Sequence, residues 1–336
     1  MQVYRMKFLS ALHIDSRGSG EPDVAEEFIH SDTLSAALCL GWAALHPDVD
    51  DRFFLDPPFR VSSAFPYVGR TLLFPVPVWP IWEGLDVEER KRVKKIRWLS
   101  QGLLAQVLAG RMLSLSGIEE LPGGVAVGKA EFKADTGFAK GRPWAMGEMQ
   151  RVSVDRLGIP RQGGLFFFGL QYFAPFSGLF FLAEASQKDR QNLRAAMDYL
   201  GDTGIGADRN CGLGHFRVDS DEKVRIDEAP GAGGWYTLSL FNPSTTEDLE
   251  DLTASCAYGL TTRSGWITES TVGRPPVRAF TEGSYFGERP VGRVAPLIDE
   301  KTRERFHLPI SHAVLRDFRA LCLPCVRPAC LKEVQK

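Results

Sequence analysis

The chain has 336 residues, 44% of them hydrophobic and 24% charged, with a formal net charge of −2. That is enough apolar mass for two cores, and so small a net charge excludes a protein that coats duplex nucleic acid by bulk electrostatics, so any RNA contact must rest on local patches. No apolar run is long enough to span a bilayer, and the opening MQVYRMKFLSALHI reads as a strand instead of a signal peptide, so a cytoplasmic chain with no membrane partner is expected.

Residues 2–9 alternate as a strand, and a helix follows from about Thr33 to Leu45 with Leu34, Leu38 and Trp42 on one face. His30, Ser31 and Asp32 have the side-chain types of a hydrolytic triad, but neighbours at a helix start cannot converge on one atom. Ser31 or Asp32 is expected to cap the helix. From Phe59 to Pro80, prolines 66, 75, 77 and 80 break the apolar runs into short strands and loops, where Ser62 and Ser63 offer hydroxyls to an RNA backbone. The segment ERKRVKKIRW then gathers Arg90, Lys91, Lys94, Lys95 and Arg97 on a helix, which suits a solvated face, an RNA contact or an acidic partner.

Between the alternating pieces at Val125 and Val152 lies GKAEFKADTGFAKGRPWAMGEMQR, too long for a hairpin turn. Lys129, Lys133, Lys140, Arg142 and Arg151 interleave there with Phe132, Phe138, Trp144, Met146 and Met149. Cations for phosphates and flat or soft apolar groups for bases are the mixture that single-stranded RNA binding requires. A second domain is expected from about Val152, with LFFFGLQYF as a fully buried strand. Its first helix places Leu193, Met197 and Leu200 on one face. Its second opens at Ser244, with Glu247 completing a capping box, and buries Leu249, Leu252 and Cys256.

The first of those helices runs into GIGADRNCGLGHF, Gly204 to Phe216, and an alternating HFRVDS follows. Gly204, Gly206, Gly212 and Gly214 leave backbone N–H groups unshielded and permit positive φ, so the loop can wrap a phosphate or sugar edge, with Arg209 supplying charge. A mononucleotide P-loop needs Gly-Lys-Ser/Thr before a helix and a dinucleotide fingerprint needs strand, loop, helix; neither fits. Near the C-terminus, Cys322, Cys325 and Cys330 form C-x-x-C-x-x-x-x-C, and a tetrahedral zinc site would need a further ligand such as His312, so core fillers are expected.

Helix, glycine loop, strand resembles the signature of the RAMP proteins of CRISPR–Cas systems, with Ala207 and Cys211 where such loops often carry another glycine and a serine. The ordered series HSDTL, FRVSSAFPYVGRTLLFPVP, VKKIRWLS, SVDRLGI, LFFFGLQYF, SLFNPSTTEDL, TTRSGWI and FTEGSYFGERPVG is similar, nearly end to end, to the fourth Csm subunit of type III-A effector complexes. The resemblance implies an α+β fold of two ferredoxin-like (RRM-like, βαββαβ) domains, 1–151 and 152–310, with a C-terminal strand and tail over 311–336. It implies a β-hairpin thumb at about 128–151 that wedges into the guide RNA. It further implies a non-catalytic scaffold, without cofactor or metal, that grips the 5′ tag of crRNA, caps the filament of backbone Csm subunits, anchors the large polymerase-like subunit and meets target RNA indirectly. Main-chain amides at Gly204, Gly206, Gly212 and Gly214 would approach the tag, with Arg209, Asn210 and His215 adding side-chain donors. The alternative is a RAMP endoribonuclease that processes repeat RNA with His13 or His215 as base, and a pure protein scaffold is a third reading.

Overall fold

β1 (Gln2–Phe8) sends Val3 into one hydrophobic core and Tyr4 and Met6 into another, so it is covered on both faces and must lie inside a sheet. The computed structural model describes residues 1–15, 23–135, 137, 141–155, 160–222, 231–267, 272–310 and 312–332. After β1 come α1 (Ser31–Leu45), α2 (Asp51–Leu55), β2 (Phe59–Val61), β3 (Phe65–Val68), β4 (Thr71–Pro75), α3 (Val87–Val93), β5 (Trp98–Ser100), α4 (Gln101–Leu108), β6 (Ile118–Leu121) and β7 (Val125–Gly128). Next are α5 (Lys129–Ala134), β8 (Trp144–Val154), β9 (Pro160–Phe173), β10 (Ser177–Ala185), α6 (Gln187–Thr203) and β11 (Phe216–Glu222). The last series is β12 (Gly234–Thr237), α7 (Leu249–Thr253), β13 (Cys256–Ala257), β14 (Leu260–Arg263), β15 (Val277–Phe280), β16 (Tyr285–Phe286), β17 (Val294–Ile298), α8 (Glu300–Arg305), β18 (Val314–Asp317) and β19 (Cys322–Cys325).

β1 pairs antiparallel with β11 and β10, and β10 pairs antiparallel with β2 and β3. Helices α1 and α6 cover this part of the sheet, burying Leu34, Leu38, Trp42, Leu193, Met197 and Leu200 with Tyr4 and Phe181. The order β11-β1-β10-β2/β3 is that of a ferredoxin-like βαββαβ module whose third strand is delayed by an insertion. Part of the insertion, β4, β5, β7 and β6, extends the same sheet, while β8 and β9 form a separate two-stranded ribbon. A second sheet, β13-β16-β12-β19, repeats the ferredoxin-like order within residues 234–325. The two modules share a core: Tyr236, Tyr285, Leu321 and Leu323 pack with Leu73, Phe74 and Trp98, and Trp79 meets Tyr236 and Tyr285 edge-on at 6.0 and 5.8 Å.

Several expectations change. The boundary at 151/152 falls inside β8, and β10 and β11 return to pair with β1, with α6 packed on the sheet between them, to complete the first module. The hairpin is β8–β9, so only residues 144–151 of the expected thumb lie on it, and Lys129–Ala134 is the helix α5. LFFFGLQYF is not fully buried: Phe168 and Leu170 are covered, while Leu165, Phe167 and Tyr172 are exposed, as on a ribbon with one solvent face. Helix α1 starts two residues early with His30 at its N-cap, and the second module's first helix is capped by Asp248, which accepts from Glu250 N and Asp251 N, leaving Leu249 exposed. Cys322 and Cys325 pack in different cores, and burial pushes the Cys325 thiol up to about 12. Among the described residues no cluster of three His, Cys, Asp or Glu could hold a metal, and no helix is long and apolar enough to cross a membrane.

A candidate nucleic-acid interface

Helix α6 ends because Gly204 takes φ +83°, a left-handed value that closes the last turn with its N–H on the Leu200 carbonyl at 2.7 Å. From there the glycine loop folds onto the segment after β1. Ala207 N bonds the His13 carbonyl at 3.1 Å, Gly214 N the Ala11 carbonyl at 2.8 Å, Ile205 N the Gly214 carbonyl at 3.0 Å and His215 N the Ser10 hydroxyl at 3.0 Å. A methyl on Gly214 would collide with the Ile205 carbonyl oxygen, so this glycine serves close backbone packing. Gly212 N bonds the Arg209 carbonyl at 2.9 Å. Thus the amides of Gly204, Gly212 and Gly214, expected to face a ligand, are used within the chain.

What the loop presents outward is its tip. Ala207, Arg209, Asn210, Cys211 and Gly212 are exposed, and Arg209 has no ion-pair partner among the described residues. Asp208 takes φ +57° and its carboxylate pairs with Arg151 of β8, whose guanidinium lies 4.5 Å from the ring centroid of Phe168. Met149, half-buried, joins Phe168, Leu170 and Leu213 in a small cluster. His13 is buried, stacks on Phe168 at 4.2 Å and donates from Nδ1 to the Gly169 carbonyl at 2.7 Å. Arg151, expected to meet RNA, has its carboxylate partner in the loop itself, and the pair joins loop to ribbon. Asp208, an acid next to the single arginine of a glycine-rich loop, is the signal for that pair.

The other expected contacts scatter. Met146 and Arg142 are exposed near the base of the ribbon, but Trp144 is only 5% exposed and packs in the shared core against Gly123, where it cannot meet a base. Lys129 and Lys133 are exposed on α5, which is tied to the extension of the sheet: Glu131 accepts from Gly102 N at 2.8 Å and Asp135 from Thr71 N at 3.0 Å. Phe138 and Lys140 lie outside the described residues.

Ser62 and Ser63 are corrected outright, because both are completely buried. Ser62 Oγ accepts from Leu182 N at 2.9 Å, bridging the break between β2 and β3. Ser63 Oγ accepts from Ser31 N at 2.8 Å and donates to Glu282, which also receives His30 Nδ1 at 2.8 Å. Burial works to raise the Glu282 carboxyl, but His30 and these hydrogen bonds outweigh it and hold it below its ordinary value. Beside it Asp32 receives Arg263 Nε and Nη2 at 3.0 and 3.1 Å. Burial opposes ionisation there too, and Arg263 with Arg316 overcomes it, lowering Asp32 from 3.8 to about 2. His30-Ser31-Asp32 is therefore the joint between the modules, with Glu282 and Arg263 supplied from more than 200 residues away in the chain.

The fold has counterparts in known proteins. A family model described as the CRISPR Csm4 C-terminal domain matches residues 231–325, the extent of the second module. A CRISPR-system protein Csm4 from Thermococcus onnurineus is 31% identical over 300 residues, covering 84% of this chain and 87% of the relative. The chain belongs to the Csm4 family. A Csm4 protein of Mycobacterium tuberculosis is 25% identical over 264 residues, covering 76% of this chain and 79% of the relative. Two solved chains share the fold of this Csm4-family member. One, in a Csm3–Csm4 subcomplex of the type III-A CRISPR–Cas interference complex, has a TM-score of 0.66 at 17% identity, covering 96% of this chain and 98% of that one. The other, in a Csm1–Csm4 cassette in complex with pppApA, has a TM-score of 0.61 at 20% identity and covers 98% of both chains.

Proposed function

We propose that this Csm4-family chain is a non-catalytic, RNA-binding scaffold subunit of a type III-A CRISPR effector complex, holding the 5′ tag of crRNA and joining the backbone subunits to the large polymerase-like subunit. The observation that carries the reading is the tip of the glycine loop. Arg209 and Asn210 stand out from a rigidly bonded loop, and the Arg151–Asp208 pair ties that loop to an exposed ribbon, so cations and apolar groups form one surface. The contacts to the tag then come from side chains at the tip and from Met146 on the exposed face of the ribbon, more than from the glycine amides. Partnership with Csm1-type and Csm3-type subunits is supported by the fold shared with chains solved in such complexes. Of the two candidate bases of the endoribonuclease reading, His13 is buried under the ribbon with its Nδ1 on the Gly169 carbonyl, which disfavours it, while His215 is half-buried.

Incubating the purified chain with labelled repeat RNA tests this. Tag binding without cutting is the expected result, metal-independent cleavage would establish the nuclease, and no binding would leave a protein scaffold.

A further inference from the structure

Helices α1 and α6 lie side by side on one face of the first sheet, so close that a methyl on Gly41 would stand 3.1 Å from the Ala196 carbonyl oxygen. Their outer surfaces differ. Along α6 the exposed positions include Lys188, Gln191, Asp198 and Asp202, the polar coat of a solvated helix. Along α1, from Ala36 to Leu45, every residue that is exposed or half-buried is an alanine or a leucine. Leu40 stands at the centre of the row Ala36, Leu40, Ala44 and is 60% exposed, while the opposite row, Leu34, Leu38 and Trp42, fills the core. A helix that is apolar on every side is a buried helix, and within this chain the outer face of α1 has no cover.

Exposed leucines recur past that row: Leu45 closes α1 and Leu55 closes α2, which is held to α1 by Phe53 packed on Trp42 at 5.4 Å. Between those leucines stand Asp48, Asp50 and Asp51, all exposed and none in an ion pair among the described residues. Arg52 is the one lysine or arginine between Ala43 and Phe59. Unpaired carboxylates repel phosphates, so this surface suits no RNA. It matches a protein face with an apolar centre and a basic rim.

We infer that the outer face of α1, centred on Leu40, docks the large polymerase-like subunit through an apolar patch edged by lysine or arginine on that partner. Backbone subunits lie along the guide, so their junction with this chain carries phosphates that three unpaired carboxylates would repel; the large subunit is the partner met off that track. The inference rests on the scaffold reading above and gives it a surface.

The test uses the full chain with its Csm1-type subunit, its Csm3-type subunit and tag-bearing RNA, measuring each affinity for wild type, Leu40→Gln, Leu40→Glu, Asp51→Lys and the α6 control Gln191→Glu. Residue 40 is in solvent and glutamine has nearly the helix propensity of leucine, so thermal unfolding of Leu40→Gln should match wild type. Leu40→Gln should weaken Csm1-type binding about tenfold, and Leu40→Glu about 30-fold or more, because its carboxylate would be buried without a partner. Asp51→Lys should weaken it about threefold, chiefly through slower association. Gln191→Glu should bind as wild type, and Csm3-type and RNA affinities should not change in any variant. Csm1-type affinity within about twofold of wild type in both Leu40 variants would overturn the inference, and so would a loss confined to the Csm3-type subunit or to RNA. A wild-type chain that binds no Csm1-type subunit defeats the scaffold reading as well; Csm1-type binding that survives both Leu40 variants defeats this inference alone.

Discussion

The tip of the glycine loop and the joint between the modules use the same side chains, arginine, aspartate, serine and histidine, to opposite ends. At the tip, Arg209 and Asn210 face water, and their loss costs the fold little. At the joint, Asp32, Ser63, Glu282 and Arg263 are all sealed, and each depends on partners from the other module. A charge or hydroxyl in low dielectric is committed to its partner and contributes to specificity of assembly, whereas the same group in solvent is available to a ligand. Residue type therefore says nothing about which role a polar motif has until burial is known.

The sharpest way to break this contrast is Asp32→Ala, which leaves Arg263 and Arg316 buried without their counter-charge and should cost about 3–5 kcal/mol in denaturant unfolding. A loss below about 1 kcal/mol would mean that the joint is solvated. Within the glycine loop, Gly214→Ala combines φ +72° with a collision against the Ile205 carbonyl and should cost ~3 kcal/mol. Gly212→Ala, at φ +83° but in open space, should cost ~1 kcal/mol. Equal losses would show that the loop does not pack as described.

Acid sharpens the comparison further. The folded Asp32 titrates at about 2 instead of 3.8, so its contribution is fully present above pH 4 and lost as pH falls toward 2, roughly 2 kcal/mol in all. Glu282 is shifted in the same direction and adds to the same acid limb. Stability measured from pH 5 to 2 should fall for wild type and fall less steeply for Asp32→Asn. Ser63→Ala should lower stability by about 1–2 kcal/mol and leave tag affinity untouched, which would separate the buried hydroxyl from RNA contact. The smallest effect on the fold belongs to Arg209→Ala, within about 0.5 kcal/mol of wild type, although tag RNA should bind about tenfold more weakly. Unchanged affinity there would move the interface off the loop tip.

Much of the first module could be read locally. The α1 face of Leu34, Leu38 and Trp42 and the α6 face of Leu193, Met197 and Leu200 follow helical spacing, and both faces lie in one core. The β8–β9 ribbon was harder, because the mixture of cations and aromatics over 129–151 has no period that separates helix α5 from strand β8. Trp144 illustrates the limit: it stands among basic residues in the chain and among buried aliphatics in space.

What local pattern determined was helices α1 and α6, the glycine loop after α6 and the family resemblance, since each depends on residues close in sequence. The tertiary structure decided where the sheets divide, because β10 and β11 return to β1 across an insertion whose length no periodicity encodes. It also decided which polar groups are sealed: Ser63 meets Glu282, Asp32 meets Arg263 and Arg151 meets Asp208 only once strands distant in the chain are side by side. Burial is a property of packing between elements, and the same short motif acquires opposite roles according to what covers it.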